Sequence, residues 1–276
     1  MSDTSNTSPG DSARVAGEAV VRSTGFEWLS RAGFVARGLI YFIIGLLALR
    51  LALGLGGRLT DQQGALHTVA NQPFGKFLLV LVAVGLGGYA LWRFVRAAVG
   101  HGPEGTDSRF DRVAALASGV VYLGLCIIAV RILTSSGGST NPHRTTAGVF
   151  GWPAGTWIVG AAGLILIGVG LYQGYRGVTK DFLADSKTEE MTPAVRKWIG
   201  RIGLIGYLAR MVVFTLVGVF LVKAAAEYDP REAVGLDGAL AKLLHHAYGP
   251  VVLGAVAVGL IAFAAYSFSD ARFRRI

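Results

Sequence analysis

Carboxylates are missing from every long apolar stretch of this chain, and charge is scarce throughout. Charged residues make up 16% of the 276 residues and hydrophobic residues 53%, with a mean hydropathy of +0.52. Ordinary soluble domains carry about 25% charged residues. Proton- and sodium-coupled carriers commonly place Asp or Glu within the membrane, so the lack of them argues against a carboxylate-based pump. The single cysteine, Cys126, lies inside an apolar run, which excludes an intramolecular disulfide and reads as a small buried hydrophobe. Five histidines are scattered, and only His245 and His246 adjoin; neighbours on a helix diverge by about 100°. No metal-ligand spacing, nucleophile motif or phosphate-binding loop is present. The sequence therefore points away from an enzyme and implies neither a cofactor nor a metal.

What remains is a set of apolar runs. A bilayer core about 30 Å thick needs about 20 mostly apolar helical residues. Six windows qualify: 34–56, 76–97, 113–134, 153–175, 203–226 and 248–268. They pair into three units, 26–98, 110–177 and 198–268, each an apolar span, a polar connection and a second span. Residues 1–25 form a tail and residues 269–276 a basic end. The tail lacks the basic start, apolar block and cleavage site of a signal peptide, and residues 1–11 are expected to be disordered. Thr24 with Glu27 reads as a capping box that opens a short interfacial helix carrying Phe26, Trp28 and Leu29.

Lysine and arginine placement sets an orientation. The tail with Arg31, the connections near 98–112 and 176–202, the basic end and Arg93 with Arg96 hold sixteen basic residues; the opposite connections, with the start of the second span, hold five, Arg58, Lys76, Arg144, Arg231 and Lys242. Both termini are expected in the cytoplasm. The net charge of +9 is then an orientation and anionic-lipid signal. Its dispersal over juxtamembrane turns, without base-stacking aromatics, does not suit nucleic acid.

The units align residue by residue. Gly33, Ala36, Arg37, Tyr41, Gly45 and Arg50 match Gly206, Ala209, Arg210, Phe214, Gly218 and Lys223 at an offset of 173. Gly64, Gly75, Gly85, Tyr89 and Trp92 match Gly238, Gly249, Gly259, Phe263 and Tyr266 at 174. The middle unit is weaker: Gly38, Tyr41 and Arg50 find Gly119, Tyr122 and Arg131 at 81, and Gly88, Trp92 and Arg96 find Gly168, Tyr172 and Arg176 at 80. Ser118 stands where the other units have Arg37 and Arg210.

The segments Gly33-Phe-Val-Ala-Arg37-Gly-Leu-Ile-Tyr41, Gly64-Ala-Leu, Gln72-Pro-Phe-Gly75, Gly206-Tyr-Leu-Ala-Arg210 and Gly238-Ala-Leu resemble a bacterial membrane family, domain of unknown function 1206. The middle unit departs from that pattern. The resemblance implies paired transmembrane helices in three copies and a bacterial cytoplasmic membrane, with no biochemical activity attached.

An all-α fold is expected, six transmembrane helices forming three parallel hairpins in a pseudo-threefold bundle. Small residues should make the contacts, because lipid offers no hydrophobic gain for helix association. Candidates are Gly45, Gly85, Gly119, Gly170, Gly174, Gly218 and Gly259, with the four-spaced pairs Ala83–Gly87, Ala115–Gly119 and Gly170–Gly174. In the opposite connections, Thr60 with Gln63 reads as a capping box and Asp237 as a cap for a helix from Gly238. Leu240, Leu243, Leu244 and Ala247 form an apolar stripe there, echoed by Leu66, Val69 and Ala70. Both read as short helices that cover the bundle or lie on the membrane.

Five cations inside the spans are candidate sites for an anion or a lipid headgroup: Arg50, Arg131, Lys223, Arg37 and Arg210. The first three share one repeat position near the outer side, where they form a basic ring or snorkel to the interface on long apolar stems. Arg50 lies thirteen residues beyond Arg37, about 220° around the helix, so the two point in different directions. Two functions fit: a non-catalytic scaffold that binds lipid or a membrane-protein partner, and a passive channel or transporter for a small, anionic solute using the basic triad. The spans have few polar lining residues beyond Ser118, Gln173 and Thr215, which favours the scaffold.

Overall fold

The computed structural model describes residues 24–99, 109–134, 155–229, 232–244 and 248–275. The expected disorder of residues 1–11, His101, His143, His245, His246 and Ala247 lie outside them. The elements are α1 (Thr24–Ala52), α2 (Gln62–Ala70), α3 (Gly75–Val99), α4 (Arg109–Thr134), α5 (Gly155–Thr179), two single 3₁₀ turns (Asp181–Leu183 and Thr188–Glu190), α6 (Pro193–Glu227), α7 (Leu236–Leu244) and α8 (Gly249–Phe273). The chain is all-α, and α1, α3, α4, α5, α6 and α8 are each long and apolar enough to cross a membrane.

Element ends correct several expectations. Residues 24–33 continue straight into α1 rather than forming a separate interfacial helix. Glu27 accepts from Arg31 instead of folding back to the backbone, so the expected capping box is replaced by an ion pair. Helix α1 stops at Ala52, short of 56, because Gly54, Gly56 and Gly57 adopt positive φ of 71°, 73° and 123°. The cap of α2 is Asp61, whose carboxylate accepts from Gly64 N–H at 2.8 Å, in place of the Thr60–Gln63 box. Asp237 lies within the first turn of α7, where its charge suits the helix dipole. Helix α6 starts well before 203, its N-cap Thr192 followed by Pro193.

Helices α2 and α7 cover one end of the bundle. Ala65, Leu66 and Val69 of α2 are buried, as are Leu236, Ala239 and Leu240 of α7. The first described residues meet the last at the other end, where Arg31 donates to the carbonyls of Ala271 and Arg272.

The long helices pack in the order α4–α3–α1–α8–α6–α5. Three of these contacts join different repeats, and they share one register. Gly45 of α1 approaches Ala257 and Ile261 of α8; Gly218 of α6 approaches Gly163 and Ile167 of α5. Cys126 of α4 donates its thiol to the Ala83 carbonyl of α3 and lies beside Gly87. Gly38 against Phe268, Gly119 against Phe94 and Gly174 against Met211 repeat the correspondence one layer away. Within the first and third repeats the hairpins close on glycines: Gly33 approaches Gly85 and Tyr89, and Gly206 approaches Phe263. Gly85 sits against Ala32 and Ala36, and Gly259 against Ala209; Gly170 meets Thr215. Gly45, Gly85, Gly119, Gly170, Gly174, Gly218 and Gly259 each lie against a neighbouring helix.

The middle repeat departs from threefold equivalence. Helices α4 and α5 share no extensive interface among the described residues, so the ring of six is open on that side. The repeat offsets explain this. Where the closed hairpins carry Gly33 or Gly206 the middle unit has Ala114, and where they carry Gly85 or Gly259 it has Ile165. A branched side chain at the crossing keeps the backbones apart, and Ile165 is 66% exposed.

A side chain at Gly218 would run into the backbone of Gly163 and Ile167. Gly218→Val is therefore expected to cost about 1–3 kcal/mol, the usual range for overpacking. Gly124 has open space around it, and Gly124→Ala should leave the unfolding midpoint in detergent unchanged.

Candidate functional site

The polar chemistry of the bundle gathers at the end where α1 begins and α8 finishes. Arg37, nearly three turns into its span from Glu27, is buried and points away from exposed Arg50, as their helical phase requires. Its guanidinium donates to Ser267 Oγ at 3.1 Å, Tyr89 Oη at 2.8 Å and Asp270 Oδ2 at 2.7 Å. The rings of Phe34, Tyr89 and Phe263 surround it at 5.0–5.2 Å. Three hydrogen-bond partners, one of them ionic, satisfy a cation that lipid alone would penalise heavily.

Asp270 corrects the expectation of carboxylate-free spans. Helix α8 runs to Phe273 rather than 268, which brings Asp270 into its last turn, 1% exposed. Arg274 reaches it from one turn further on, at 3.6 Å.

A second carboxylate, Asp185, sits in the connection between α5 and α6. It accepts from Arg176 at 2.7 Å, Arg274 at 2.8 Å and Arg96 at 3.5 Å, so it ties α5, the chain end and α3 together. The backbone holds it in place: Lys187 N–H donates to the Phe273 carbonyl, and Arg275 N–H to the Asp185 carbonyl. Burial alone would raise the Asp185 carboxyl, but the guanidiniums of Arg274, Arg96 and Arg176 together hold it well below the usual carboxylate range. Arg274 is buried as well, and its two carboxylate neighbours raise it well above the ordinary arginine value despite that burial.

Arg93 joins the cluster by donating to Tyr89 Oη at 2.7 Å, so that phenol oxygen accepts from two arginines. Five guanidiniums (Arg37, Arg93, Arg96, Arg176 and Arg274) thus face two carboxylates. The cluster is net basic, and Arg37, Arg96, Arg176, Arg274, Asp185 and Asp270 each hold one helix or tail to another, while Arg93 braces Tyr89 within α3.

Arg210, the repeat counterpart of Arg37, differs. It is half-buried over Phe263, Phe214 and Tyr41, with ring centroids at 4.4, 5.0 and 5.5 Å. Its Nε is buried without a hydrogen-bond partner. The outer triad is on the surface. Arg50 and Arg131 are exposed, and Lys223, also exposed, pairs with Glu227 at 3.8 Å and Glu232 at 3.3 Å.

Sequence reasoning missed Asp185 and Asp270. Asp185 stands among polar loop residues, and only the fold brings it to three arginines. Asp270 was legible as an acid three residues after Ser267 on the continuing helix, at the repeat position of Arg96.

These features define a polytopic helical membrane protein built from three tandem repeats of two helices. The chain belongs to the family described as Domain of Unknown Function (DUF1206), whose model matches residues 32–100, 113–180 and 205–274. It is 32% identical over 240 residues to the uncharacterized protein YxxB of Bacillus subtilis (strain 168), covering 86% of this chain and 87% of that protein. No solved structure matches it.

Proposed function

We propose that the protein is a non-catalytic scaffold of the bacterial cytoplasmic membrane that presents a basic inner end to anionic lipid headgroups or to an acidic segment of a membrane-protein partner. The observation that carries this is the clasp around Asp185 and Asp270. Polar side chains that an enzyme or carrier would keep available are spent on joining α1, α3, α5, α8 and the chain end. The excess of guanidiniums over carboxylates leaves a positive field there, which attracts anionic lipid. With that end in the cytoplasm, both termini are cytoplasmic.

A second reading, a passive pathway for a small anionic solute, draws on the open side between α4 and α5 and on Arg210. Ion and phosphate flux in reconstituted vesicles separates the two. The scaffold gives background flux for wild type and for the Arg50→Gln, Arg131→Gln, Lys223→Gln triple variant alike. Flux well above protein-free vesicles overturns it.

A further inference from the structure

Arg210 is a membrane-embedded cation whose repeat partners have been stripped of every group that neutralises Arg37. The correspondence is fixed by packing as well as by alignment. Gly45 against Ala257 and Ile261 is matched by Gly218 against Gly163 and Ile167, and Gly38 against Phe268 by Met211 against Gly174. In that register Gln173 of the middle repeat stands for Ser267, Arg176 of the middle repeat for Asp270, and Phe263 of the third repeat for Tyr89. Arg37 Nε donates to Ser267 Oγ, whereas Arg210 Nε is buried with no partner among the described residues. Arg37 has the Asp270 carboxylate; at the matching place Arg210 has a second arginine, itself committed to Asp185. The Tyr89 hydroxyl that accepts from Arg37 is absent from Phe263, so among the described residues Arg210 retains only ring faces.

A cation left this way in a low-dielectric setting costs several kcal/mol unless something supplies negative charge. The surroundings suit a ligand rather than a protein counterion. Tyr207, one turn before Arg210, stacks on Phe182 of the connection carrying Asp185, with centroids 5.0 Å apart. Arg210 therefore lies about 4.5 Å further along α6 than that stacked pair. Among the described residues, α4 and α5 share no extensive interface.

We infer that Arg210, with Gln173 at the repeat position of Ser267, is the binding site for one phosphate-type oxyanion, where the first repeat uses Asp270. A headgroup phosphate and a free phosphate offer the same chemistry: a charge-assisted bond from the guanidinium and a second donor from the amide. Gln173→Glu would give Arg210 an internal carboxylate and restore the first repeat's solution. This site is independent of the clasp that carries the scaffold proposal.

The test uses the full chain in a neutral detergent with two probes, phosphatidylglycerol against phosphatidylcholine by native mass spectrometry, and inorganic phosphate by calorimetry. Wild type should retain phosphatidylglycerol selectively or bind phosphate. Arg210→Gln and Gln173→Glu should each weaken the ligand that binds by about tenfold or more, the loss of one charge-assisted contact. Loss in the lipid arm identifies a headgroup, and loss in the phosphate arm a free anion. Gln173→Glu is expected to unfold no earlier than wild type, so its loss of binding is not a folding defect. Wild type binding neither probe, or both variants binding within twofold of wild type, overturns the site. Flux in vesicles would sink the scaffold while leaving this site intact.

Discussion

Replacing Asp270 with Asn lowers the stability of the detergent-solubilised protein by about 3–5 kcal/mol, the cost of stranding a buried charge. Asn keeps the shape and an acceptor but removes the charge that offsets Arg37, whose guanidinium lies 2.7 Å away. Both side chains are nearly inaccessible, so water cannot screen the orphaned cation. Arg274 loses its second carboxylate in the same step. The double variant Arg37→Met, Asp270→Leu should recover most of the loss, because apolar groups can replace a buried ion pair at little net cost. An Asp270→Asn protein within about 1 kcal/mol of wild type in reversible unfolding would show that the pair carries no such weight.

Asp185→Asn has the second-largest effect, about 2–3 kcal/mol for bonds to a charged acceptor, and its pH dependence separates it from a packing defect. The folded-state carboxyl is held below its unfolded value by Arg274, Arg96 and Arg176. Such a group stabilises the fold above the unfolded pKa, near 3.9, and the contribution disappears as pH falls through the lower folded value. The stability gap between wild type and Asp185→Asn should therefore stay constant from about pH 8 to pH 5 and narrow only below about pH 4. A gap that changes between pH 8 and 6 would mean another group governs it. Limited proteolysis reads the same variant: residues 181–190 and the chain end, joined by Lys187 N–H to Phe273 and Arg275 N–H to Asp185, should be cut together.

Length, hydropathy and repetition are properties of local sequence, which is why six spans and three copies were legible from residues alone. The small-residue contacts were legible for the same reason, since Gly45 and Gly218 sit at equivalent repeat positions and make equivalent contacts. The open middle repeat was written in the sequence but needed a comparison one step finer. Ala114 and Ile165 stand where the closed hairpins have glycines, and their effect depends on which faces cross. The clasp was harder to see. Asp185 lies nine residues from Arg176 but 89 from both Arg96 and Arg274, so only the folded order of helices reveals its role. Arg37 and Arg210 look alike in sequence, and what distinguishes them is on α8 and α5.

Accessibility of engineered cysteines tests the topology most directly. In a Cys126→Ser background, single cysteines at Glu189, Arg275 and Asp61 are probed with an impermeant maleimide in intact cells and in inside-out vesicles. Glu189 and Arg275 share one end of the bundle, where they form an ion pair at 3.1 Å, and Asp61 caps α2 at the other. Labelling of Asp61→Cys from outside, with Glu189→Cys and Arg275→Cys reached only from the cytoplasmic face, is the expected result. Labelling of all three from one face, or of Glu189→Cys and Arg275→Cys from opposite faces, would contradict it.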